Sequence, residues 1–210
     1  ALYRHLAGAA GGSPFEVVVG AVLTQNTAWR NVEYAIANLQ VAGVLSPEGI
    51  HALRREELET LIRPAGFFRQ KAERLLLFVD HLSGAHGGDL TAMLGGPLEE
   101  VRLELLSLKG IGPETADSIL LYAGSRPSFV VDAYTRRLFT RLGLLGGEEG
   151  YEAIRALFMA NLPADVDLFN EYHALIVEEC KTFCRKTPRC AACSLLTSCP
   201  WGLRSVTEAR

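Results

Sequence analysis

The sequence predicts an all-α fold of ten or so short helices. Three observations carry that expectation. Alternating strand patterns are nearly absent. Apolar residues recur at i, i+3, i+4 and i+7 along most of the chain. These recurrences are cut into short lengths by Gly, Pro and Ser. Ser13-Pro14 reads as a cap followed by proline at the first helical position, and opens a helix to about Thr24. A second runs from about Ala28 to Val41 and closes near Gly43. Ser46-Pro47 opens a short third, and Arg54 to Ile62 forms a fourth, stopped at Pro64. Phe68 to Leu82 is amphipathic, with Ala72, Leu75, Leu76 and Val79 on one face. Pro97 starts another, reaching Leu108. The helix after Gly112-Pro113 carries Ala116, Ile119, Leu120 and Ala123, and Asp132 caps one through Leu142. Gly146-Gly147 breaks the chain, and helices follow at about Glu148 to Asn161 and Asp165 to Cys180.

The 210 residues are 49% hydrophobic and 21% charged, enough to bury a core and to form one domain or two small ones. The longest apolar stretch, Phe15 to Leu23, is interrupted by Glu16 and Gly20 and is far too short to span a bilayer. No charged segment leads into an apolar one at the start, so the expectation is a cytoplasmic protein with no membrane partner. A net charge of −3 excludes nucleic-acid binding by bulk positive charge. It leaves room for a local basic face, because phosphates are held by a few side chains and backbone N–H groups. The basic residues cluster as Arg69, Lys71 and Arg74; as Arg136, Arg137 and Arg141; and as Lys181, Arg185, Lys186 and Arg189. Each cluster reads equally as a solvated helix face.

Three segments carry chemistry. In Leu108-Lys109-Gly110-Ile111-Gly112-Pro113-Glu114-Thr115-Ala116, one helix ends at a Gly-x-Gly turn and the next begins at once. The glycines permit positive φ and close approach, and the N–H groups of the turn can face an anion. The five cysteines all lie between Cys180 and Cys199, whereas a disulfide scaffold would spread them. Cys184, Cys190, Cys193 and Cys199 are spaced so that four thiolates can meet at one centre. Zinc and iron–sulfur clusters both use four cysteines, and spacing alone leaves both open. Cys180, one turn before Cys184, reads as an ordinary buried cysteine. Third, the apolar helix ending Gly20-Ala21-Val22-Leu23 runs into a polar Thr24-Gln25-Asn26-Thr27 break, followed by Trp29.

Taken together, the Gly-x-Gly hairpin, the Val130-Val131-Asp132 run some twenty residues on and the four-cysteine ending resemble the helix–hairpin–helix DNA glycosylase superfamily, and within it the endonuclease III branch. Pro188-Arg189-Cys190 and Cys199-Pro200-Trp201 also resemble that branch's [4Fe-4S] loop, here one residue shorter in its first gap. The resemblance implies a [4Fe-4S] cluster on Cys184, Cys190, Cys193 and Cys199. It implies that Lys109, Gly110 and Gly112 grip a DNA phosphate. Gln25 would fill the gap left by a flipped nucleotide, and Phe67, in Gly66-Phe67-Phe68-Arg69, would act as the apolar wedge. Asp132 would be the catalytic carboxylate, facing a deoxyribose that becomes oxocarbenium-like. Its plainer role is a helix N-cap, and the two are compatible. In bifunctional members a lysine two residues after the second hairpin glycine forms a Schiff base with the sugar. Here that position is Glu114, and a carboxylate cannot.

The stretches 20–27, 63–67, 70–72, 109–114 and 130–134 are similar to the endonuclease III-like 3-methyladenine DNA glycosylases. That likeness places Trp29 and Tyr134 in the base pocket. Two departures stand out: Ala9-Ala10-Gly11-Gly12 occupies a place where those enzymes carry tryptophans, and they lack the four-cysteine loop. The expectation is two helical domains, 14–131 as a helical barrel with the hairpin and 1–13 with 132–210 as the cluster domain, flanking a groove. The expected activity is a monofunctional DNA N-glycosylase for alkylated purines. It would act as a monomer on double-stranded DNA containing a damaged base, at the nucleoid if the source is bacterial. Two rivals are a glycosylase/AP lyase for oxidised pyrimidines and a non-catalytic iron–sulfur DNA-binding protein.

Overall fold

The most apolar run of the sequence becomes the central helix of the first half of the fold. In the computed structural model, which describes residues 12–208, α1 (Pro14–Leu23) is buried at every position from Val17 to Leu23. Its start follows from the sequence: Ser13 Oγ accepts the Glu16 N–H at 3.2 Å, and Pro14 supplies the first helical residue. The described residues divide into two compact units, meeting at Arg126 and Pro127. The expectation that residues 1–13 join the cysteine-bearing half falls almost wholly on 1–11, which lie outside the described residues. Every regular element among those described is helical.

In the first unit, α1 packs on α2 (Trp29–Val41), α5 (Phe68–His86) and α8 (Pro113–Ser118), the last running into a π-helical turn at Ile119–Ala123. The short α3 (Pro47–His51) and α4 (Arg55–Leu61) lie against α5. Their inward residues Leu39, Ile50, Leu58, Leu75, Val79 and Leu120 are all fully buried, as the 3.6-residue periodicity requires. Two features depart from expectation. Helix α5 runs one turn past Leu82, to His86, ending at Gly87 in the left-handed region. The short α6 (Leu90–Leu94) was not expected; Asp89 caps it by accepting the Thr91 and Ala92 N–H groups. Helix α7 (Leu98–Ser107) then leads to the hairpin. Bidentate Arg102–Asp117 bonds of 2.8 and 3.1 Å join α7 to α8 in a fully buried ion pair.

The second unit is built on aromatic rings. Phe129 stacks on Phe158, with centroids 4.0 Å apart and planes 4° apart, and Phe169 meets Phe129 edge-on. With Phe139, which meets Phe158 edge-on, these rings bring together α9 (Ala133–Arg141), α10 (Tyr151–Asn161) and α11 (Val166–Thr182). The sequence suggested that α10 begins at Glu148. It begins three residues later because Glu149 turns its carboxylate back onto the Gly146 and Gly147 N–H groups, at 2.6 and 2.8 Å. A further helix, α12 (Pro200–Glu208), follows Cys199 and was not expected. No helix among the described residues is long and apolar enough to cross a membrane.

Candidate functional site

The hairpin is built into the first unit. Gly110 has φ +88°, and the Ile111 N–H returns to the Leu108 carbonyl at 3.0 Å. Ile111 is buried and anchors the turn. A side chain at Gly110 would collide with Arg74, coming within 2.6 Å of its Cγ and Cδ. Gly112 differs: its φ is −89°, and a Cβ there would meet nothing within 4 Å. The chain itself therefore requires glycine at 110, whereas the space at 112 lies open to a ligand. Lys109 is exposed and held at 2.6 Å by Glu73 of α5. Glu114 is exposed in the first turn of α8.

The Thr-Gln-Asn-Thr break lies against this turn. Gln25 Nε2 donates to the Gly110 carbonyl at 3.1 Å and to Thr115 Oγ1 at 2.9 Å, while its Oε1 accepts from Arg74. Gln25 is thus half-buried and tied to the hairpin. Asn26 takes up φ +53°, so the chain reverses sharply there. Trp29 opens α2 half-exposed, its Nε1 donating to Glu33 at 3.0 Å, and so is not a core residue. Phe67 is 64% exposed and left-handed at φ +44°, a conformation that costs an aromatic residue energy. Its neighbour Phe68 is half-buried.

One basic residue departs from its sequence reading. Lys71 does not belong to a surface cluster; it is fully buried, and its Nζ donates to the carbonyls of Leu23 and Ala65, both at 2.8 Å. Burial, with the Arg74 charge beside it, pulls its pKa down to about 8.

Asp132 caps α9 in the second unit. Its Oδ1 accepts the Thr135 N–H at 2.8 Å and the Thr135 hydroxyl at 3.0 Å, and its Oδ2 lies 3.5 Å from Nε2 of buried His173. Burial pushes the carboxyl up, but His173 and the Thr135 donors outweigh it and hold Asp132 below the ordinary aspartate range. No local signal pointed to His173, which only the packing of α11 on α9 brings to Asp132. Tyr134, next on the same helix, has the Arg137 guanidinium 5.1 Å from its ring centre.

The far end of α9 meets the cysteine loop. Cys184, Cys190, Cys193 and Cys199 line one cavity with Leu138, Leu142, Leu195 and Leu196, and Cys180 is not part of its wall. Arg141 Nη1 donates to Cys184 Sγ at 3.3 Å and to the Arg185 carbonyl at 2.7 Å, and its guanidinium lies 4.5 Å from the Trp201 ring centre. Arg137 Nε bonds the Cys184 carbonyl at 2.8 Å. The Gly202 N–H donates to Cys199 Sγ at 3.3 Å. A bond from Cys180, despite burial and helped by Arg141, brings the Cys184 pKa down to about 6, while burial and then Glu179 push Cys193 up to about 11. Four thiols in an apolar wall, two of them receiving N–H bonds, form a donor set that fits a tetrathiolate-held metal centre.

Comparison with known proteins matches residues 19–164 to the HhH-GPD superfamily of base excision DNA repair proteins. A protein of Methanocaldococcus jannaschii, designated a DNA repair glycosylase by inference, is 48% identical over 186 residues, covering 88% of this chain and 84% of its own. A non-covalent endonuclease III–DNA complex superposes with a TM-score of 0.80 at 23% identity, over 98% of this chain and 94% of that one. The Helicobacter pylori 3-methyladenine DNA glycosylase, solved with 1,N6-ethenoadenine, gives 0.67 at 29% identity, over 78% and 83%. With the hairpin, the capping aspartate and the endonuclease III fold in place, the chain belongs to the HhH-GPD superfamily of base excision DNA repair glycosylases.

Proposed function

We propose that the protein is a monofunctional DNA N-glycosylase that excises alkylated purines such as 3-methyladenine. One observation carries this reading: Glu114 stands where a lyase would need an amine, while Asp132 is retained and held ionised. An ionised carboxylate stabilises an oxocarbenium-like sugar and orients water, and it forms no Schiff base. A cationic alkylated base leaves without a general acid, so this reduced set suffices. Trp29 is half-exposed at the start of α2, and an indole π face attracts a cationic base. The likeness to the H. pylori enzyme, itself a 3-methyladenine glycosylase, supports the same substrate class.

Within this reading each remaining residue has a task. The hairpin of Lys109, Gly110 and Gly112 takes a phosphate without reading sequence. Phe67, exposed and conformationally strained, is the wedge that enters the duplex, and Gln25 holds the hairpin and faces the gap. Tyr134, beside Asp132 on α9, contributes an aromatic wall to the surroundings of the reacting sugar and base. His173 positions Asp132. Cys184, Cys190, Cys193 and Cys199 hold a [4Fe-4S] cluster, which fastens the loop to α9 and supplies no reacting group. The DNA is bound by a single copy of the chain.

The test is single-turnover base release on duplexes carrying methylated, deaminated or oxidised bases, with and without alkali, and with borohydride. The expected result is release of methylated purines, strand cleavage only after alkali, and no borohydride-trapped complex. Preference for thymine glycol, or an efficient covalent trap, overturns the proposal in favour of a glycosylase/AP lyase for oxidised pyrimidines. No release from any lesion leaves a DNA-binding protein without chemistry.

A further inference from the structure

In the first unit, where α5 meets α7, two imidazoles and a carboxylate come together. His81 and His86, near the end of α5, each bring Nε2 to the same oxygen of Glu104 on α7, at 2.6 and 2.5 Å. The imidazole rings are 5.9 Å apart and inclined at 63°, and the three donor atoms all lie within 4.8 Å of one another. All three side chains are between a fifth and a third exposed, so the cluster is sheltered yet reachable from solvent. The base-excision reading makes no use of it.

We infer that His81, His86 and Glu104 form a binding site for a divalent transition-metal ion of the zinc class. Two imidazoles with one carboxylate are a recurring three-ligand zinc set, which leaves a fourth position for water. Imidazole nitrogen disfavours calcium and magnesium, which take oxygen ligands. The geometry needs little adjustment. Ligands about 2.0–2.2 Å from a tetrahedral ion stand about 3.3 Å from each other, so each nitrogen moves less than 1 Å away from Oε1. Without an ion, the two lone pairs of one Glu104 oxygen can accept an Nε2 hydrogen from each imidazole, which holds the three groups together in advance of an ion.

The position gives the ion a task. Helix α5 also supplies Glu73 to Lys109 and Arg74 to Gln25, and α7 runs directly into Lys109. An ion bridging α5 and α7 clips together the two helices that support the hairpin. The proposal does not depend on which base the protein excises.

The probe is Co²⁺, followed by Zn²⁺ competition, on cluster-loaded protein stripped of loosely bound metal. One equivalent of Co²⁺ should produce visible d–d bands without thiolate-to-metal charge transfer, and Zn²⁺ should displace it. Zn²⁺ should also raise the unfolding temperature. His86→Gln and Glu104→Gln should each weaken binding at least tenfold, and His81→Gln/His86→Gln should abolish the spectrum. Each variant is melted in EDTA against wild type so that a folding defect is separated from lost ligation. Should a variant fail to fold, the wild-type spectrum decides alone. No bands at millimolar Co²⁺, bands of thiolate type only, or an unchanged spectrum in the double variant overturns the site.

Discussion

Asp132→Asn separates the two roles that the structure gives this residue. The amide keeps an oxygen for the Thr135 N–H and hydroxyl, so the cap on α9 survives. Complete loss of such a cap costs about 1 kcal/mol, and an Asn cap is nearly as good as Asp. Against a total stability of about 5–15 kcal/mol the variant stays folded. The charge is gone, however, and with it the stabilisation of the oxocarbenium-like sugar. Removing a preorganised electrostatic group of this kind slows turnover by roughly 10²–10³, or about 2.7–4 kcal/mol. The assay is single-turnover excision from a methylated duplex, with DNA affinity and thermal unfolding of the same preparation. Excision should fall by that factor while DNA affinity barely moves and thermal unfolding falls only by the stability the ionised carboxyl contributes. Acid unfolding gives a second signal. Because the folded carboxyl titrates below its unfolded value near 3.9, the stability it contributes is full above pH 4 and lost as pH falls through the lower folded value. The variant should therefore show a flatter acid limb below about pH 4. Wild-type excision by Asp132→Asn would falsify the catalytic assignment and leave only a cap.

Other outcomes follow from the same geometry. Trp29→Ala should slow excision of cationic bases by about 2- to 30-fold, the worth of a cation–π contact, and leave neutral lesions and the unfolding temperature nearly unchanged. An equal loss on all substrates, with a fall in stability, would mean that Trp29 only packs. Gly110→Ala should lower both stability and DNA affinity, because φ +88° and Arg74 both oppose a side chain there. Gly112→Ala should lower affinity alone; unfolding and fluorescence-anisotropy titrations distinguish the pair. Asp117→Ala removes the bidentate carboxylate from buried Arg102 and should cost about 3–5 kcal/mol, or about 6–20 °C in calorimetry. A shift below 3 °C would refute that account.

Several helix starts were legible from a cap or proline at the boundary, though Asp89 before α6 and Pro200 at α12 were not read that way. Ser13, Ser46 and Asp132 all accept the backbone N–H their positions promised, and Asp165, expected as a first helical residue, caps α11 in the same way. The hairpin was legible because two glycines and a proline sit together. What stayed hidden depends on contacts distant in sequence. Lys71 looks like a surface base until α5 carries it beneath the Leu23 carbonyl. His173 acquires meaning only when α11 crosses α9. Helix α6 is too short for periodicity to register, although Asp89 marks its start. His86 lies beyond the point where apolar spacing on α5 gives out, so its meeting with Glu104 could not be seen.

The Arg102–Asp117 pair places a constraint on the history of the hairpin as well as on its shape. Either charge alone is a buried ion without its partner, so a single substitution descends into a deep fitness valley. Replacing both by apolar residues of matched volume is close to neutral in energy, so the far side of the valley is habitable. Lineages should therefore hold the two positions in lockstep, as arginine with an acid or as two apolar residues. Mixed states should be rare. The exposed first turn of α8, outside that coupling, can trade an amine for a carboxylate at position 114 without disturbing the clamp.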